Sequence, residues 1–169
     1  MRIRHPFPPL FDDRSEVLIL GSFPSVKSRE QMFFYGHPQN RFWRVIAAVY
    51  GVPVPQTVPE KKAMLHACGV ALWDCVASCE IRGSSDASIR AVKPNDLSPI
   101  LTAAPIRRIY CNGGASYALY EKLLYPATGI RAEKLPSTSP ANAAWTPERL
   151  TEAWRVIRVG EPERQEIKE

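Results

Sequence analysis

The segment "SEVLILGSFPS", Ser15 to Ser25, decides the fold. Val17 to Leu20 is an unbroken apolar run, and Gly21 stops it, so it reads as a buried strand. Three more strands follow: "GVALWDCVA" (Gly69 to Ala77), "IRRIYCN" (Ile106 to Asn112) and "IRAEKL" (Ile130 to Leu135). Helical patterns fall between them. Arg41 to Tyr50 has apolar residues at helical spacing and ends at Gly51, while Glu60 to Ala67 ends at Gly69. Asn95 or Asp96 caps a helix to about Ala103, and Gly113-Gly114 leads into a helix from Ala115 to Leu124. Thr146-Pro147-Glu148 opens a last helix to about Ile157, with a cap, a first-turn proline and a first-turn acid. "VPVPQTVP" is a proline-rich connector, "RGSSDAS" (Arg82 to Ser88) a polar loop, and residues 160–169 a charged, frayed tail.

Alternating strands and helices imply an α/β domain of three layers, with a short, mostly parallel central sheet between helices. Residues 1–169 suit one such domain. Ligands of these sheets bind at the carboxyl ends of the strands. Gly21 to Pro24, Asp74, Asn112 to Gly114 and Pro136 to Ser139 follow the four strands, so all are expected on one rim.

Bulk properties narrow the class. A net charge of +5 and a pI of about 9.2 favour an anionic partner, nucleic acid being the commonest. No apolar run is long enough to cross a membrane, and the polar, proline-rich start lacks a secretory core, so a cytoplasmic protein is expected. Cys68, Cys75, Cys79 and Cys111 form no C-x-x-C pair, and His5, His37 and His66 lack ligand spacing, so neither metal nor redox dithiol is indicated. Neither "GSFPS" nor "CNGGAS" is a phosphate loop, and no G-x-G-x-x-G or G-x-S-x-G is present. A rim of amides, hydroxyls, aromatic rings and one carboxylate remains. It suits a flat heterocycle stacked on a ring and read along its edge.

The combination "LILGSFPS", "FFYGHPQNRFW", "LWD" and "STSPANA" resembles the uracil-DNA glycosylase superfamily from roughly Val17 to Trp154. It is most similar to the hypoxanthine-DNA (deoxyinosine) glycosylase branch, with mismatch-specific uracil/thymine glycosylases as the alternative. The resemblance implies a monomeric enzyme, without metal or cofactor, that flips a damaged base from DNA and hydrolyses its N-glycosidic bond. A non-catalytic nucleic-acid-binding domain of the same fold is the reading from another class.

By that resemblance Tyr35 stacks on the flipped base, and Asn40 lies near the sugar and the attacking water. A neutral amide can orient water but cannot take its proton, and Asn40 equally suits an N-cap for the helix at Arg41. Phe23 occupies the slot where uracil enzymes carry an acid or amide that activates water. Asp74 stands where the family commonly has a base-reading Asn. It accepts from a ring N–H while protonated, works beside a separate donor, acts on water, or merely caps its loop. Asn112 is a further candidate for the edge of the base. Ser137 replaces a general-acid-like His and can donate to the leaving base. Ser22, Ser25, Ser139 and Pro140 are assigned to DNA phosphate, and Asn142 to the space the base vacates. Arg41 and Arg44, three apart on one helical face, are within reach of phosphates.

Overall fold

A computed structural model of the chain describes residues 2–158. In order these form β1 (Arg2–Arg4), β2 (Val17–Gly21), α1 (Val26–Gln31), α2 (Phe42–Tyr50), α3 (Val58–Cys68), β3 (Val70–Asp74), β4 (Val76–Glu80) and β5 (Arg90–Pro94). They continue with α4 (Ser98–Ala103), β6 (Arg108–Asn112), α5 (Gly114–Leu119), α6 (Tyr125–Thr128), β7 (Ala132–Leu135) and α7 (Pro147–Trp154). The tail from 160 onward lies outside the described residues. Within them, no helix is long and apolar enough to cross a membrane.

The central sheet has the order β3-β2-β6-β7, and all three pairings are parallel. Every residue of β2 and β3 is buried, as their unbroken apolar runs require. Gly21 pairs with Asp74 and Asn112 with Leu135, so the strands end at one edge. The crossovers from β2 to β3 and from β6 to β7 run in opposite directions along the sheet. Right-handedness therefore puts α1, α2 and α3 on one face and α5 and α6 on the other. Helix α7 returns to pack on α2, with Trp154 edge-on to Phe42 at 5.9 Å and its indole donating to the Pro136 carbonyl at 2.9 Å.

The structure corrects several expected boundaries. "GVALWDCVA" is not one strand. After Asp74 the chain leaves the parallel sheet, held by Cys75 N–H on the Gly21 carbonyl (2.8 Å) and Val76 N–H on Ser22 (3.1 Å). It then enters an antiparallel sheet of order β1-β4-β5 that alternation alone did not announce. The helix expected from Ala115 to Leu124 is broken after Leu119 by a wide π-helical turn, Tyr120–Leu124. Asp96 accepts from Ser98 N–H at 2.9 Å near the start of α4, whereas the Asn95 amide turns to the Asp74 carbonyl at 2.8 Å. Helix α3 starts earlier than expected, at Val58. Thr57 and Glu60 form a reciprocal capping box there.

Ile19, fully buried in a central strand, measures how far the sheet holds the rest together. Ile19→Ala should lower unfolding free energy by about 2–5 kcal/mol in urea titrations without changing the slope.

Candidate active site

The carboxyl edge of the sheet opens into a cleft of about 110 Å³. Ser22, Phe23, Ser25, Tyr35, Asn40, Asp74, Asn112, Ser137 and Ser139 all line it, and Ser22, Phe23, Asp74, Asn112, Ser137 and Ser139 are strand-end residues expected to meet on one rim. Asn142 lies in an adjoining groove of about 530 Å³ that shares Ser137, Ser139 and Asp86 with the cleft. Pro140 lines neither. A larger cavity, about 590 Å³, sits by Val17, Gly69 and Arg108 at the opposite edge and shares none of these residues.

Thr138, fully buried, ties three elements into this cleft. Its hydroxyl donates to Asn40 Oδ1 at 2.8 Å and accepts from Asn112 Nδ2 at 3.0 Å, while its N–H donates to Asn112 Oδ1 at 3.0 Å. Asn112 thus commits both ends of its amide to the loop after β7. Asn40 Oδ1 also accepts the Phe42 N–H, the first of α2, at 2.9 Å, which fixes which amide atom is oxygen, although Arg41 and not Asn40 is the N-cap residue. That bond and the water-orienting assignment use different atoms of the amide, because Nδ2 is left for the cleft.

Arg41 does not reach outward, contrary to the expectation that it contacts phosphate. It is buried, and its guanidinium donates to the carbonyls of Thr138 (3.3 Å), Ser139 (2.8 Å), Asn142 (3.1 Å) and Trp145. Five donors in a rigid fork suit a loop that turns its carbonyls inward. Arg44 stays exposed. The loop is further shaped by Ser137 Oγ accepting from Ser139 N–H, Ser139 Oγ from Ala141 N–H, and Asn142 Nδ2 donating to the Ser137 carbonyl.

In the aromatic stretch, Phe33 and Phe34 are core, whereas Tyr35 is half-buried at the cleft. Trp43 Nε1 donates to the carbonyls of Phe34 and Tyr35 and so holds the turn. Tyr35 has φ of 52°, a left-handed conformation that a bulky residue rarely adopts. One face of its ring stacks on Phe42 at 4.1 Å and 21°. Its hydroxyl is buried beside Asn112, and burial, then the charge of Asp74, raises its pKa against the smaller lowering effect of the Asn112 amide, so that the phenol stays neutral.

Asp74 is buried where Gly21 has no side chain. A Cβ on Gly21 would stand 2.5 Å from Asp74 Oδ1 and 3.2 Å from the Tyr35 hydroxyl. Asp74 Oδ2 lies 2.7 Å from His5 Nε2. Sequence reasoning passed over His5, because a lone histidine between arginine and proline carries no spacing signal. It also passed over Asp86, whose carboxyl reaches the cleft from the 3₁₀ turn Asp86–Ser88 and accepts from Ser22 Oγ at 2.6 Å. Desolvation raises the Asp86 pKa, Ser22 offsets part of that, and Asp74 adds to it. Ser25 caps α1 by accepting from Ser28 N–H at 3.2 Å. Cys111, buried beneath the cleft, has its pKa pushed up to about 12 and remains a thiol.

Arg41→Met should cost about 3 kcal/mol, since it strands several buried carbonyls. Arg44→Ala should change unfolding free energy by less than about 0.5 kcal/mol. Parallel thermal melts compare the two.

The chain matches the model of the family described as the uracil DNA glycosylase superfamily over residues 8–158. It is 34% identical over 156 residues to a protein of Methanosarcina acetivorans named hypoxanthine DNA glycosylase, covering 92% of this chain and 98% of that one. A Methanosarcina barkeri protein of the same name is 31% identical over 137 residues, covering 80% and 86%. Among solved structures, a solution NMR structure of a candidate uracil DNA glycosylase from M. acetivorans superposes with a TM-score of 0.77 at 30% identity, over 94% of this chain and 99% of that one. With this coverage, and with the strand order and rim described above, the chain belongs to the uracil DNA glycosylase superfamily.

Proposed function

We propose that the protein is a DNA repair glycosylase that takes a deaminated base, hypoxanthine or uracil, out of DNA and hydrolyses its N-glycosidic bond. The observation that carries this is Asp74 Oδ1, a hydrogen-bond acceptor set against a strand end where Gly21 leaves room. Deamination turns the acceptor nitrogen of adenine or cytosine into a ring N–H, and a carboxylate accepts from that N–H. The names of two relatives, both hypoxanthine DNA glycosylase, support the purine over the pyrimidine.

The remaining groups have work to do in such a reaction. A stacked base hides its glycosidic carbon, so the nucleotide must be extruded, and the Tyr35 ring, backed by Phe42, offers a platform for it. Departure of the base leaves an oxocarbenium-like sugar. Asn40 Nδ2 holds the water that attacks this cation, while Ser137 Oγ, whose hydrogen is not used within the loop, donates to the leaving base. Asp86 adds a carboxylate to the cleft, whose negative charge favours the cationic sugar.

Asn40→Ala should reduce hypoxanthine release from a deoxyinosine oligonucleotide by about 10²-fold or more, with DNA affinity little changed. Equal losses in binding and release would contradict the role given to Asn40. Because the Asp86 pKa is raised, its charge is present only above that value and is lost as pH falls through it. Base release should therefore decline on the acid side at a higher pH than an ordinary carboxylate would give. Asp86→Asn should be slower and should lack that limb in the pH–rate profile.

A further inference from the structure

We infer that His5 is a positioning residue for selectivity: it holds Asp74 as a hydrogen-bond acceptor, so that only a base with a ring N–H fits beside Oδ1. This rests on the proposal that Asp74 faces the base. Strand β1, paired antiparallel to β4, carries His5 to the end of β3, where its own N–H donates to the Ala77 carbonyl at 2.8 Å. There the side chains of His5 and Asp74 are only 3% and 6% exposed. The imidazole is boxed by rings, with centroids at 4.4 Å for Trp73, 4.6 Å for Phe7, 5.9 Å for Phe23 and 6.2 Å for Phe34.

The position of the proton follows from this box. A ring nitrogen and a carboxylate oxygen 2.7 Å apart must share a hydrogen. His5 Nδ1 is buried with no partner, so a hydrogen there would be an orphaned donor, at a cost of about 1–3 kcal/mol and more in an imidazolium. The neutral ring with its hydrogen on Nε2 leaves only a lone pair at Nδ1, unsatisfied but without the added cost of a stranded charge. Asp74 then receives a hydrogen bond at Oδ2 and presents Oδ1 as an acceptor. Undamaged adenine or cytosine would bring a ring lone pair against that oxygen. A repulsive pairing of this kind rejects the common base more strongly than a missing contact would. Tyr35, Asp86 and Cys75 are the other ionisable groups that feel the Asp74 charge, and burial favours the neutral form of each.

His5→Leu and His5→Gln separate this role from packing, because a glutamine amide can place an N–H near the position of Nε2. His5→Leu should lower hypoxanthine release by about 10²-fold and narrow the preference for hypoxanthine over adenine, as Asp74 loses its donor. His5→Gln should restore most of the rate and the preference. Nitrogen NMR of the unmodified protein reads the tautomer without any substitution and should show a neutral imidazole protonated at Nε2 near pH 7. An imidazolium or an Nδ1–H tautomer would overturn the inference. So would a His5→Leu variant with unchanged preference alongside an Asp74→Ala variant that has lost it. If Asp74→Ala itself keeps rate and preference, the placement of Asp74 against the base fails first.

Discussion

The site depends on Thr138. Every polar atom of this buried residue is used: its carbonyl accepts from the Arg41 backbone and guanidinium, its N–H goes to Asn112, and its hydroxyl links Asn112 to Asn40. The hydroxyl thereby joins the start of α2 to the loop after β7, 98 residues apart in sequence. A buried network satisfied this completely has one low-energy arrangement, since breaking any link strands a polar group away from water. Asn40 is held in one orientation, its oxygen spent on structure and its nitrogen left for the role proposed for it.

The other half of the cleft rests on a different constraint, the close approach of β2 and β3. Gly21 and Asp74 are register partners, and no larger residue than glycine leaves the carboxylate where it stands. Opposite it, Tyr35 is held in a left-handed conformation by Trp43 beneath its carbonyl and Phe42 against its ring. Backbone strain of this sort persists only where the surroundings over-determine it, and here they consist of aromatic core. The row of rings around Tyr35 is therefore mostly scaffold, with one ring at the cleft.

The parallel sheet was legible because two of its strands, β2 and β3, are short apolar runs that glycine or a polar residue ends, and the rim followed from strand order. The antiparallel sheet was not. Its outer strands, "RIR" and "RAVKP", are largely exposed and carry no alternation to read. Its middle strand continues β3 with only Cys75 between them, so the sequence shows one run where the chain changes sheets. Arg41 misled because helical spacing gives a face but not the carbonyls of a loop about 100 residues away. His5 was invisible for a similar reason. Its partner is 69 residues distant, and nothing local distinguishes it from a surface histidine.

A structure of the protein bound to DNA carrying a non-hydrolysable deoxyinosine analogue tests the central claim most directly. The flipped base should lie against Tyr35, with its ring N–H on Asp74 Oδ1 and a water on Asn40 Nδ2 facing the sugar carbon. A base lodged elsewhere, or Asp74 turned to a water with the ring N–H on another group, would contradict it.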